Sequence, residues 1–237
     1  MNAWRIVDEF EKTVAEYTGA PYAVAVDSCT NALFLCLVLH RMKHGVTTVT
    51  LPKYTYVGVA HSVINAGHAL RFYDLKWTGV YTLGGTDIID AARRFHKDMY
   101  LPTMQMCLSF HWFKHLSIGR AGMILLDNED DYKLLRRMRY DGRGEGVPPA
   151  EDTFDCPGYH MIASPELAAH GLLLMQHIAR YNEDLPWDDY PDLSKHKYFV
   201  EANRDHFADV GKIVTPEANS EPLFEVPAGN TLYRFFE

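Results

Sequence analysis

Apolar residues open the chain at helical spacing, with Trp4, Val7, Phe10, Val14 and Tyr17 on one stripe and Gly19 ending the run. Tyr22 to Val26 is a short β-rich segment, followed by the polar turn Asp27-Ser28-Cys29-Thr30 and a continuous helix former from Asn31 to His40. The unit then repeats. Val46 to Leu51 predicts a strand, Thr55 to Ala66 a helix closed by Gly67, and Ala69 to Tyr73 another strand. Strands alternating with helices predict an α/β fold, a mostly parallel sheet flanked by helices.

Further along, Thr86 to Asp90, Met104 to Phe110 and Ala121 to Leu126 predict three more strands. A charged helix is expected from about Glu129 to Tyr140, and the Gly-, Pro- and acid-rich stretch from Asp141 to Pro157 reads as a loop. Ser164-Pro165-Glu166 has the serine cap and first-turn proline of a helix start, and that helix is expected to run to about Tyr181. Pro186 to Pro191 then reads as a linker. The expected organisation is a shortened α/β domain over residues 1–160 and a small C-terminal domain over 161–237.

Bulk composition narrows the function classes. A chain of 237 residues, 47% hydrophobic and 23% charged, can bury one substantial core and a small satellite, but not two full domains. A net charge of -8 argues against a general nucleic-acid or anionic-membrane surface, so any anionic ligand must be held by local groups. The four cysteines form no CxxC pair and no zinc spacing, which points to reduced thiols in a cytoplasmic protein. The N-terminus opens directly into a helical pattern without a signal peptide, and no apolar run approaches transmembrane length.

Four segments hold candidate chemistry. Ser28, Cys29 and Thr30 sit between a strand and a helix, where free backbone N–H groups and the helix dipole can cradle a phosphate; taken alone, an ordinary N-cap is the simpler reading. Asp90 ends an apolar strand, where α/β sheets bind ligands, although a cap at the following turn is the plain alternative. Lys114 lies in the aromatic run Phe110-His111-Trp112-Phe113, a setting for Schiff-base chemistry, whereas most lysines are simply exposed. His111 and His115 have an i, i+4 spacing but no third partner of metal-site spacing, and no metal is expected.

Taken in order, these segments resemble the DegT/DnrJ/EryC1/StrS family of sugar aminotransferases, enzymes dependent on pyridoxal 5'-phosphate (PLP) with the type I fold. The resemblance begins at Phe10-Glu11 and Tyr17-Thr18-Gly19. It continues through Ala23 to Leu33, similar to the family's phosphate-binding turn, and Pro52-Lys53-Tyr54-Thr55-Tyr56, similar to its Pro-x-x-Thr-aromatic segment. Asp90-Ala91-Ala92 resembles its Asp-Ala-Ala motif, Ser109 to Leu116 with Gly119 and Gly122 its cofactor-lysine segment, and Gly158-Tyr159 its Gly-Tyr-Asn segment.

By that resemblance, Lys114 joins the cofactor as a Schiff base and moves the proton, while Asp90 pairs with the pyridinium nitrogen. Ser28, Cys29, Thr30 and Ser109 hold the phosphate, Tyr56 stacks on the ring, and His160 reaches the partner subunit's phosphate in a homodimer. Three departures stand out: Cys29 for glycine, Arg93 for glutamine or histidine beside the ring, and Gly119-Arg120-Ala121-Gly122 for Gly-Glu-Gly-Gly. The stretch from Leu75 to Thr86 is also far shorter than in the family, so a helix and at least one strand are expected to be missing. The implied activity is transfer of an amino group from an amino acid, glutamate or glutamine, to a nucleotide-linked keto-sugar. Arg120, Arg136, Arg137 and Arg143 are the candidate partners of the nucleotide diphosphate. The competing expectation is a truncated PLP-binding or cofactor-free remnant acting as a regulatory or binding subunit.

Overall fold

The computed structural model describes residues 4–187 and 190–202. Helix α1 (Trp4–Thr18) leads into β1 (Tyr22–Val26), α2 (Cys29–His44), β2 (Thr48–Pro52), α3 (Val57–Asn65) and β3 (Ala69–Tyr73). Four strands follow, β4 (Tyr81–Thr82), β5 (Ile88–Asp90), β6 (Gln105–Ser109) and β7 (Gly122–Leu126), and then helices α4 (Glu129–Arg139) and α5 (Pro165–Met175). Ser164 caps α5 with its hydroxyl oxygen, and Pro165 occupies the first turn, as the sequence predicts.

The main sheet has the order β1-β7-β6-β5-β4, and β2 and β3 form a parallel pair beside it. Mutual backbone hydrogen bonds of 2.9 Å between Thr50 and Gly84 link the two sheets. Helices flank the strands, as expected for an α/β fold, but the sheet is mixed. Pairs β5–β6 and β2–β3 are parallel, whereas β1–β7, β6–β7 and β4–β5 are antiparallel. Chain length is the physical reason: only residues 83–87 join β4 to β5, too few for the crossover that parallel neighbours need.

Side-chain alternation divides the core into two layers. Val24, Val26, Cys107, Ile124 and Leu126 pack with α2 and α3, while Ala23, Ala25, Met106, Leu108, Met123 and Leu125 pack with α1 and α5. Strands buried on both faces explain why β6 and β7 read as unbroken apolar runs.

Two expectations need correction. Residues 75–86 are short but not empty, since they supply β4 and the buried Trp77 and Tyr81. Helix α5 stops at Met175 rather than near Tyr181, because the carbonyls of Ala179 and Arg180 bind Tyr17 and Lys97 instead of extending the helix. The described residues of the predicted linker at 186–191 belong to a strap over the body. Pro186 bridges to Thr78, and beyond it Leu193 and Phe199 pack into the α2–α3 layer. Residues 203–237 of the expected C-terminal domain lie outside the described residues.

Candidate active site

Strand ends converge at one edge of the main sheet. Asp90 ends β5, and Ser109, at the end of β6, pairs with Gly122, the first residue of β7; Gly122 pairs in turn with Val26, just before the Asp27-Ser28 turn. The turn after β1, the end of β5 and the end of β6 therefore meet in space although 80 residues separate the first from the last in sequence. Gly122 is required by this convergence: a Cβ there would lie 2.4 Å from the Cys29 nitrogen and the Ser28 carbonyl carbon.

A cavity of about 600 Å³ opens at this edge, within the range of small-molecule sites. Of the residues predicted from sequence, Ser28, Cys29, Thr30, Tyr56, Asp90, Arg93, Ser109 and Lys114 all line it. Ser28 caps α2, its hydroxyl oxygen accepting from the Asn31 amide at 3.2 Å, so the cap reading is correct. The cap leaves the remaining first-turn amides of α2 without an intrahelical acceptor, and they stand at the cavity wall with Thr30 and Ser109 beside them. Cap and anion cradle coexist.

Asp90 is buried and held from two sides. Its Oδ1 accepts from the Ala92 amide at 2.9 Å and its Oδ2 from the Tyr81 hydroxyl at 3.0 Å. Since Tyr81 donates there, the Thr55 hydroxyl donates to the Tyr81 oxygen at 2.6 Å. Burial pushes the Asp90 carboxyl above its usual range, opposed by these two hydrogen bonds and by the charges of Lys114 and Arg93. Burial and the neighbouring Asp90 also hold the Tyr81 phenol and the Cys29 thiol well above their ordinary values, so both stay neutral. No helix follows Asp90 in residues 91–104, which removes the helix-cap alternative for it.

Lys114 is half-buried in the turn after β6, where its amide donates to the His111 carbonyl at 2.9 Å. His111 lines the cavity, while the His115 ring sits 2.7 Å from the Glu183 carbonyl oxygen. Arg93 is buried, donates to the Tyr190 hydroxyl at 3.1 Å and stacks over the same ring. Trp77 lies between Tyr81 and Tyr190. His160 stands outside the cavity, exposed and 3.0 Å from Asp141.

Of the four arginines considered for a diphosphate, only Arg120 lines the cavity. Arg136 is taken by Asp8, Glu11 and Glu145, Arg137 by Asp152 and Asp155, and Arg143 stacks on Tyr140. Sequence reasoning missed Thr55, Trp77, Tyr81 and Tyr190. Gly84-Gly85 after the Val80-Tyr81-Thr82 run is a hairpin signal that could have located Tyr81.

These side chains suit PLP. The first turn of α2 matches a phosphate, the buried Asp90 a ring nitrogen, and Lys114 an aldehyde within the same cavity. Comparison with known proteins bears on the same point. The first third of the chain, residues 2–81, matches the DegT/DnrJ/EryC1/StrS aminotransferase family model. The family resemblance holds.

Spore coat polysaccharide biosynthesis protein SpsC of Bacillus subtilis is 41% identical over 69 residues, 29% of this chain and 18% of that protein. GDP-perosamine synthase of Caulobacter vibrioides is 40% identical over 63 residues, 27% of this chain and 17% of that one. Among solved structures, AtS13 from Actinomadura melliaura superposes with a TM-score of 0.64 at 18% identity, over 73% of this chain and 60% of that chain. The sugar aminotransferase CalS13 from Micromonospora echinospora gives 0.62 at 18% identity with the same coverage. The aligned segments thus span less than a fifth of those curated relatives, and the shared fold about three fifths of the solved chains. Asp90 and Lys114 lie beyond residues 2–81, the part that the family model matches.

Proposed function

We propose that this chain binds PLP at the cavity and moves an amino group from an amino acid, glutamate or glutamine, to a nucleotide-linked keto-sugar. The observation that carries the reading is the meeting of Asp90, Lys114 and the first turn of α2 in one cavity. Bound PLP supplies an electron sink for the bond changes at the substrate carbon. The chain supplies the rest. Ser28, Cys29, Thr30 and Ser109 bind the phosphate through amides and hydroxyls. Asp90, fixed by Tyr81 and Ala92, holds a proton at the ring nitrogen. Lys114 would hold the cofactor aldehyde through its amine and, with that amine released, would move a proton at the substrate carbon. Tyr56, half-exposed beside α3, gives the ring an aromatic face.

We place this activity in a cytoplasmic homodimer. No helix among the described residues is long and apolar enough to cross a membrane. The position of His160 outside its own cavity suits a residue that serves the partner's phosphate. Arg93 and Arg120, which depart from the family's residues at this cavity, favour a second reading, a PLP-binding or cofactor-free subunit that regulates or binds a partner. One half-reaction separates the two. Mixing PLP-loaded protein with glutamate or glutamine should release one equivalent of the matching keto acid per site. No release with either donor, from protein that has bound PLP, would establish the binding-subunit reading instead.

A further inference from the structure

Resting on the reading above, we propose that Arg120 is the specificity residue of this site: it exchanges its contact with Asp27 for the paired anionic oxygens of the incoming substrate. Among the described residues, the side chains lining the cavity include three cations, Arg93, Lys114 and Arg120, and a single carboxylate, Asp90, which is buried and already accepts two hydrogen bonds. In a chain of net charge -8 this is a local reversal of sign, and it favours anions at the mouth.

The three cations are not equivalent. Arg93 is buried against Tyr190, and Lys114 lies deeper in the turn beside Asp90. Arg120 stands at the rim with its side chain 72% exposed, and it touches Asp27 through one nitrogen and one oxygen at 3.2 Å. An exposed contact of this kind is worth little, so giving it up costs little. Asp27 does not depend on it, because its other oxygen accepts from the Asn31 amide side chain at 2.6 Å and from the Ser28 hydroxyl at 3.3 Å. A guanidinium released from Asp27 presents a planar fork that fits a carboxylate or a phosphate through two parallel hydrogen bonds. Other arginines near the body are already committed to carboxylates, Arg94 to Asp184 and Arg136 to three acids.

The paired oxygens could come from the distal carboxylate of a dicarboxylic donor or from the diphosphate of a nucleotide sugar. Calorimetric titration of PLP-loaded protein with glutarate and, separately, with inorganic pyrophosphate distinguishes the two. Arg120→Ala should weaken one probe by about tenfold or more, with the PLP absorption band unchanged. Arg120→Lys should recover only part of that loss. Asp27→Asn, which removes the competing charge, should tighten the same probe by two- to five-fold. Loss of glutarate binding assigns Arg120 to the donor, and loss of pyrophosphate binding assigns it to the diphosphate. If Arg120→Ala binds both probes as wild type does, or if wild type binds neither, the proposal is wrong while the PLP reading stands. The same titrations on cofactor-free protein score Arg120 even where no PLP band forms.

Discussion

Asp90 carries a cost that its function explains. Its carboxyl is pushed above the usual range by burial, because the charged form is poorly solvated in the folded protein without cofactor. A folded-state pKa above the unfolded one means that ionisation opposes folding, and the penalty fades as pH falls through the folded value. Asp90→Asn should therefore raise the melting temperature of cofactor-free protein by roughly 2–4 °C, equivalent to about 1 kcal/mol, while turnover falls sharply. An unchanged turnover would remove the ring-nitrogen role. Gly122 makes the complementary point, since a methyl there meets the backbone of the α2 turn. Gly122→Ala should cost about 1–3 kcal/mol in denaturant unfolding and shift the PLP titration midpoint upward. Asp90 and the Ser28–Thr30 turn were legible because each sits at a strand or helix boundary that sequence marks clearly, and Lys114, in the turn after β6, through the family resemblance. Tyr81 and Thr55 were not, because the chain of hydrogen bonds from Thr55 through Tyr81 to Asp90 depends on a two-residue strand that no periodicity can register.

At the scale of elements, buried charge ties α1 to α4. Arg139 is fully buried among Glu11, Glu145 and the Ala25 carbonyl, and Glu11 also accepts from the Ala25 amide at 2.7 Å. Arg139→Met leaves Glu11 and Glu145 with Arg136 as their remaining cation and removes the donor to the Ala25 carbonyl, and should cost about 3–5 kcal/mol in chemical denaturation; a cost under about 1 kcal/mol would contradict this role. Helix α2 carries a second sensitive point at its other end. His40 is buried beside His44, His68 and Asp87, and burial together with the two imidazoles holds it below its ordinary value of 6.5 despite Asp87. His68 is committed, accepting from the Thr47 amide at Nδ1, which leaves Nε2 to donate to the Leu37 carbonyl. A histidine whose folded pKa is depressed adds no pH dependence above the unfolded value, and stability is lost as pH falls below it. Unfolding free energy should therefore drop between pH 7 and 5, and His40→Leu should flatten that slope. Element positions were largely readable, since β3 falls on its predicted residues and α2, α3, β6 and β7 lie within a few residues of theirs. Strand direction was not, because periodicity reports burial on two faces without saying which neighbour a strand pairs with.

For the whole molecule, the main sheet, the α2–α3 layer and a strap of residues 182–187 and 190–202 border the cavity, Tyr190 lining it. The strap is stitched down by Arg94–Asp184 and Lys53–Asp192. Sequence gave little warning of it, since its aromatic residues Trp187 and Tyr190 lie among prolines and acids that read as a linker. Sedimentation of the PLP-loaded protein should show a dimer, and His160→Ala should weaken PLP binding there without unfolding the subunit. A fully active monomer would exclude the shared site.

The central claim is that Lys114 and the surrounding cavity hold PLP. It is tested most directly by adding PLP to purified protein, recording the visible spectrum before and after borohydride reduction, and mapping the reduced peptide. The account predicts a visible band that borohydride removes, with the label on Lys114 and no band in Lys114→Ala. A label on another lysine, or an identical band in Lys114→Ala, would contradict it.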